Sequence, residues 1–266
     1  MLDLEFAELS HPGKVRGYNE DFVGHAVPAT ADEARSHGWL FALADGVGGH
    51  DRGEVASRTA VESLQLCFRE SKAGEPPDTL LQRLAQAANL KVYETAASAT
   101  PGGSSMCTTL VACLLRYDRV TIAHVGDSRC YLVRRGQARV LTHDHTLVGE
   151  QVRVGLLSRE EAAESEKRHV LSRSLGANLF VNVDIDEHEL LPGDLLLLSS
   201  DGLHGSVMPQ EIAAVASKFP DLRDAARQLI ALACEKDGSD NISAQLIRIK
   251  SVERVGMYRG RPYKLR

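Results

Sequence analysis

About ten short runs of apolar or alternating residues mark this chain, and they come in clusters instead of alternating one by one with helical blocks. They are LDLEFAEL (2–9), DFVGHAV (21–27), WLFALAD (39–45), CTTLVACLL (107–115), RVTIAHVG (119–126), RCYLVRR (129–135), QARVLT (137–142), FVNVDIDEHEL (180–190), DLLLLSS (194–200) and ISAQLIRI (242–249). Each is short and patterned enough to read as a β-strand. Helical periodicity falls between them in blocks, 53–71 and 77–98 as one pair, 208–219 and 221–236 as another, with a shorter block at 158–167. Strands alternating with single helices would predict a parallel sheet. Clustered strands with paired helices predict antiparallel sheets covered by helices, an α+β layered sandwich.

Composition limits the function classes. With 266 residues and no Pro/Ser-rich linker, the chain fits one large domain. A net charge of -5 argues against nucleic acid as the main partner. Five cysteines, an odd number with no C-x-x-C pair, speak against a disulfide framework and against a thiolate zinc site. The first residues show no basic stretch followed by a long apolar run, and no segment reaches about 18 uninterrupted apolar residues. A cytoplasmic protein with no membrane partner is expected. The last stretch, 251–266, holds five basic residues and no periodicity, and reads as a solvated tail.

The chemistry concentrates where apolar strands end. LFALADGVGGH (40–50) delivers Asp45 into a glycine-rich turn; NED ends on Asp21, SSDG carries Asp201, SDN carries Asp240, and VGDSR places Asp127 between two strands. An isolated Asp-Gly is most simply a turn. Several strand-end acids converging on one sheet rim would instead offer the carboxylate oxygens that hard divalent cations need. Two such ions about 3.5–4 Å apart can generate a nucleophile from water and stabilise an in-line displacement, with one acid shared between them. Asp45 suits the shared position, because Gly46 behind it leaves its carbonyl unhindered. Arg16, five residues before Asp21, has a planar fork able to bind two phosphate oxygens, although a solvated arginine is an equally simple reading of that segment alone.

Taken in order, RGYNED, ADGVGGH with GEVAS, TTLVA, VGDSR, LTHDHTLV, VLSRSLG, LLLLSSDGL and SDNIS resemble the metal-dependent Ser/Thr protein phosphatases of type 2C, bacterial branch, from about Glu8 to Ile249. The resemblance implies a four-layer αββα sandwich of two antiparallel β-sheets flanked by helix pairs. It implies a catalytic domain over 1–250, with a flap subdomain at about 147–170 that shapes substrate choice, and a basic tail over 251–266. It places Asp45 between two metals, the Gly46 carbonyl on one, and Asp201 and Asp240 on the other. Glu20 and Asp21 would hold metal-bound waters, Asp127 would help bind a third metal, and Arg16 would bind phosphate. The implied cofactors are Mn²⁺ or Mg²⁺, two or three per chain. The implied reaction is attack of a metal-bridging hydroxide on phosphoserine or phosphothreonine. Phosphorylated proteins are the expected partners, among them a cognate Ser/Thr kinase whose action the enzyme opposes, and a monomer is expected.

One position departs from the eukaryotic pattern DGHGG: here Val47 follows the glycine, and His50 becomes the candidate general acid. In THDHT (142–146), His143 and His145 would share a face of a strand and suggest zinc, but two ligands without a third are a weak signal. Two other functions remain open at this point: a phosphatase-fold binding module without catalysis, and a regulator phosphatase acting on anti-sigma antagonists. No acid is missing from the set, which disfavours the first. No attached sensor domain is evident, which disfavours the second.

Overall fold

Strands buried on both faces should read as unbroken apolar runs, and the central strands of this protein do. The computed structural model describes residues 1–47, 52–99, 106–158, 161–162, 165, 167–258 and 261–264. In chain order the strands and helices are β1 (Asp3–His11), β2 (Asp21–Ala26), α1 (Ala31–Ser36), β3 (Trp39–Asp45), α2 (Gly53–Arg69) and α3 (Pro77–Ala99). There follow β4 (Leu110–Arg116), β5 (Arg119–Val125), β6 (Arg129–Arg134), β7 (Gln137–Val140), α4 (Leu147–Arg153), β8 (Asp184–Glu189) and β9 (Leu195–Ser199). The chain continues through α5 (Asp201–His204), α6 (Pro209–Lys218), α7 (Leu222–Lys236), β10 (Ile242–Ser251), β11 (Val255–Tyr258) and β12 (Arg261–Lys264).

Two five-stranded antiparallel sheets form, in the orders β1-β10-β9-β6-β7 and β2-β3-β4-β5-β8. Between the sheets lie Phe41, Leu43, Val111, Cys113, Leu115, Leu196, Leu198 and Ile247. The alternate residues of the same strands, such as Leu40, Ala42, Ala112 and Leu114, face α2 and α3, whose stripe Ala56, Ala60, Val61, Leu64 and Phe68 is buried against them. On the outer side of the other sheet, Leu197, Ala244 and Leu246 pack with Ile212, Ala226 and Leu229 of α6 and α7. The expected four layers are therefore present. Both sheets lack a wet face in their central strands, which removes the alternation an antiparallel sheet normally shows.

The ten expected strands all form, with ends shifted by a few residues. The helical block at 158–167 falls largely outside the described residues. The stretch 251–266 differs from expectation. Instead of running on without structure, it pairs Val255–Tyr258 with Arg261–Lys264 as a separate antiparallel ribbon. Gly256 in the first strand and Pro262 in the second interrupt any apolar alternation that would have marked them.

Because the two sheets share one packed interior, truncating a side chain there opens a cavity. Phe41 is fully buried, with its ring 5.1 Å from that of Phe6 in edge contact. Phe41→Ala is expected to lower stability by about 3–5 kcal/mol, read from urea unfolding curves; a loss below about 1 kcal/mol would contradict this packing.

Candidate active site

One rim collects the ends of both sheets. Asp21 opens β2 and Asp45 closes β3, and the two are direct partners across that antiparallel pair. Asp127 lies in the turn from β5 to β6, Asp201 begins α5 just after β9, and Asp240 immediately precedes the residues that open β10. The sequence-predicted acids thus converge, although they are up to 219 residues apart in the chain. Arg16, Glu20, Asp45, Gly46, Val47, Thr109, Asp127, His169, Leu171, Asp201 and Asp240 line a single cavity of about 160 Å³. His50 lies outside the described residues.

Local hydrogen bonds hold each acid. The backbone of Asp45 is fastened to β4: its N–H donates to Thr109 Oγ1 (2.9 Å), and its carbonyl accepts from the Thr109 N–H (2.9 Å) and from Thr108 Oγ1 (2.8 Å). Gly46 is required by close approach. A Cβ there would lie 2.8 Å from the Glu20 carbonyl oxygen and closer still to that of Gly53. Asp21 is buried, and its Oδ2 accepts from Ser200 Oγ (2.7 Å) and Ser243 Oγ (2.6 Å). Its Oδ1 is buried with no partner among the described residues. Asn241, beside Asp240, accepts from the Glu20 N–H (2.7 Å) and donates to the carbonyls of Pro12 (3.0 Å) and Tyr18 (2.9 Å). It thereby anchors the loop that carries Arg16. Arg16 Nη2 donates to Asp240 Oδ2 at 2.8 Å, and its half-exposed guanidinium stands at the cavity.

Crowding shows in the proton affinities. Burial pushes Asp21 up to about 7, with the charges of Asp201 and Asp240 adding to it and the two serine hydroxyls opposing it. Burial, then the Asp201 and Asp144 charges, raises Asp127 to about 7. Asp45 is raised well above the ordinary range by burial and by Asp21, Asp201, Asp127 and Asp240. Burial pushes Asp201 up as well, but His169, whose Nδ1 lies 3.6 Å from Oδ2, and the other histidine nearby, His204, hold it below the usual value. Burial drives His204 itself down to about 3. Burial raises Glu20 against the pull of Arg16.

Two larger cavities, of about 830 and 940 Å³, lack this character. Their acids each have an arginine within about 4 Å, as with Asp118 and Glu187 beside Arg119, Asp144 beside Arg129, and Asp184 beside Arg173. In the small cavity, five carboxylates share one arginine and one histidine among the described residues. Orphaned Asp21 Oδ1, mutually repelling carboxyls and an all-oxygen donor set fit a hard divalent cation. Among the described residues no three His, Cys, Asp or Glu side chains stand in a ready ligand cluster. An ion here would complete its shell with backbone oxygens and water, as magnesium and manganese ordinarily do.

The histidine pair that suggested zinc does not form one face. The THDHT segment follows the end of β7, leaving His143 exposed and His145 buried, hydrogen-bonded to Gly126 and Asp184. His169 and Asn241 were not singled out by sequence reasoning. The first sits within the expected flap, and the second within the SDN turn.

The chain is similar over most of its length to known proteins. The family model for protein phosphatase 2C matches residues 29–246. The serine/threonine phosphatase stp of Listeria innocua is 36% identical over 252 residues, covering 94% of this chain and 95% of the relative. The protein phosphatase PhpP of Streptococcus pneumoniae is 31% identical over 92% of this chain and 97% of its own length. Among solved structures, the S. agalactiae serine/threonine phosphatase superposes with a TM-score of 0.84 at 34% identity, covering 93% of this chain and 100% of that one. The catalytic domain of the phosphatase PstP in complex with two manganese ions gives a TM-score of 0.79 at 32% identity, covering 94% and 100%.

The burial of Asp21 has a measurable consequence. A carboxyl raised to about 7 in the fold stabilises the folded state fully only below the ordinary carboxyl value near 4, and this contribution is lost as pH rises through about 7. In chelator, Asp21→Asn should therefore gain in melting temperature relative to the unsubstituted chain as pH goes from about 5 to about 8. A constant difference across that range would contradict the raised value.

Proposed function

The chain belongs to the protein phosphatase 2C family, and from that premise we propose how its acidic rim works as a divalent-metal-dependent protein serine/threonine phosphatase. The observation that carries the reading is the convergence of Asp45, Asp127, Asp201 and Asp240, from separate elements of both sheets, on one cavity with Arg16, and with Asp21 paired to Asp45 behind it. When bound, the ions supply an activated water and neutralise charge on the phosphoryl oxygens.

The protein's own groups do the rest. Asp45, pinned through its backbone to Thr108 and Thr109, would hold the ions together with the Gly46 carbonyl, Asp201 and Asp240. Glu20 and Asp21 would orient waters on those ions, Asp21 being fixed by Ser200 and Ser243, and Asp127 would help hold a third. Arg16 binds phosphate, exchanging its bond to Asp240 for oxygens of the substrate, and its planar fork fixes the phosphoryl group in one orientation. His50 is the candidate general acid. Two or three Mn²⁺ or Mg²⁺ ions per chain, phosphoserine and phosphothreonine proteins as substrates, an opposing Ser/Thr kinase as partner, a monomeric state and a cytoplasmic location complete the reading. Among the described residues no helix is long and apolar enough to cross a membrane.

Asp201→Asn should lower p-nitrophenyl phosphate hydrolysis by about 100-fold or more, since changes outside the ligand shell alone cost about 10–100-fold. Near-normal turnover would sink the assignment. EDTA should abolish hydrolysis, and Mn²⁺ or Mg²⁺ should restore it on phosphoserine and phosphothreonine peptides in preference to phosphotyrosine. Restoration by zinc alone would contradict the carboxylate assignment of the site.

A further inference from the structure

The turn that carries Asp127 is gripped from both sides by histidines. His145, 2% exposed, accepts the Gly126 N–H at Nδ1 (3.1 Å), while its own backbone N–H donates to the Gly126 carbonyl (2.7 Å). His124, also 2% exposed, bonds through Nε2 to the Ser128 carbonyl (2.8 Å). The two rings lie against each other at a tilt of 38°, their centroids 4.7 Å apart. Gly126 has φ +107°, and a Cβ there would lie 2.6 Å from Thr109 Cγ2, so the turn has little room of its own.

The bonds assign the tautomers. The Gly126 N–H occupies Nδ1 of His145 as acceptor, so Nε2 carries the proton and donates to Asp184 Oδ2 (3.0 Å). Arg173 lies 3.3 Å from that Nε2, but its bonds go to Asp184 Oδ1 (2.8 Å) and to Glu150 Oε1 on α4 (3.2 Å). Burial holds both imidazoles below their ordinary value, consistent with neutral rings. A chain of contacts therefore runs from α4, within the flap, through Arg173, Asp184 and His145 to the residue before Asp127.

We propose that His124 and His145 are positioning residues, a paired clamp that holds Gly126 and Ser128 and so fixes the direction of the Asp127 carboxylate, with Glu150, Arg173 and Asp184 bracing the clamp from the flap side. This rests on the reading of Asp127 as an ion-holding acid. Neither histidine reaches the cavity. Orientation of a ligand by a hydrogen-bonded group behind it is typically worth about 10–100-fold in metal affinity.

The test is Mn²⁺ binding to the full chain, followed by the electron paramagnetic resonance signal of free Mn²⁺, with melting temperature as the check on folding. Asp127→Asn comes first and should weaken or remove one class of bound Mn²⁺; an unchanged isotherm overturns the placement of Asp127 and the clamp with it. His145→Phe keeps the ring's bulk but loses both ring bonds, and should weaken the same class about tenfold. His145→Asn, whose Oδ1 can replace the Nδ1 acceptor, should stay within about threefold of the unsubstituted chain. On the Asp127→Asn background His145→Phe should have no further effect, because residues acting through one group are not additive. If Asp127→Asn alters binding while His145→Phe does not, or if His145→Phe keeps its full effect without Asp127, the clamp is wrong and the reading of Asp127 stands. Should His145→Phe fail to fold, Arg173→Met carries the same comparison, expected at about a threefold loss that vanishes on the Asp127→Asn background; an unchanged isotherm for it overturns the proposal.

Discussion

Carboxylates gathered at the low-dielectric end of two packed sheets repel one another, and much of the surrounding structure exists to hold them there. Two like charges about 4 Å apart near a protein surface repel by roughly 4 kcal/mol, and burial adds its own penalty. Ser200 and Ser243 both donate to one oxygen of Asp21. Thr109 accepts from the Asp45 backbone and pairs with Ser128 Oγ at 2.7 Å, so one hydroxyl joins the strand end of Asp45 to the turn of Asp127. His169 steadies Asp201 and Arg16 steadies Asp240. These neutral and cationic donors keep the oxygens aimed at a common space without cancelling their charge, which is what a cation-binding rim requires.

The sandwich supplies the stiffness for this arrangement. Strands β3, β4, β9 and β10 are packed on both faces, so the rim cannot relieve repulsion by bending outward without disturbing cores on two sides. Gln245 adds a polar tie between the sheets, its amide reaching Glu8 and the Gly24 carbonyl from a fully buried position. The larger cavities of the molecule show the contrast: where each acid has an arginine, charge is spent on structure and none is left to attract a metal.

The layered fold and the acids were legible in the sequence because both follow from local patterns. A run such as LFALAD declares a buried strand, and an acid at its end declares a functional rim once several such runs exist. The bonds of Asn241 to Pro12 and Tyr18 left no such trace, since they join residues more than 220 positions apart and depend on the completed fold. His124 was equally silent: a single histidine within RVTIAHVG looks like a polar interruption of an apolar strand until His145 is laid against it. For THDHT the spacing was misleading. Its zinc reading assumed strand geometry, whereas the chain has already left β7 and buries only the second histidine. The β11–β12 ribbon was missed because Gly256 and Pro262 break the side-chain alternation of its two short strands.

The segment around Arg16 stands apart from the rest of the rim. Residues 12–19 are mostly exposed and contribute nothing to the three apolar cores; their place is set by the amide of Asn241 and by the bond from the Lys14 N–H to the Gly238 carbonyl at 2.7 Å. Parts of a protein held by a few hydrogen bonds outside its apolar cores open at lower free energy than the packed interior. Warming would thus free the arginine while both sheets remain intact, and heat would silence the enzyme well before it unfolded it, reversibly on cooling.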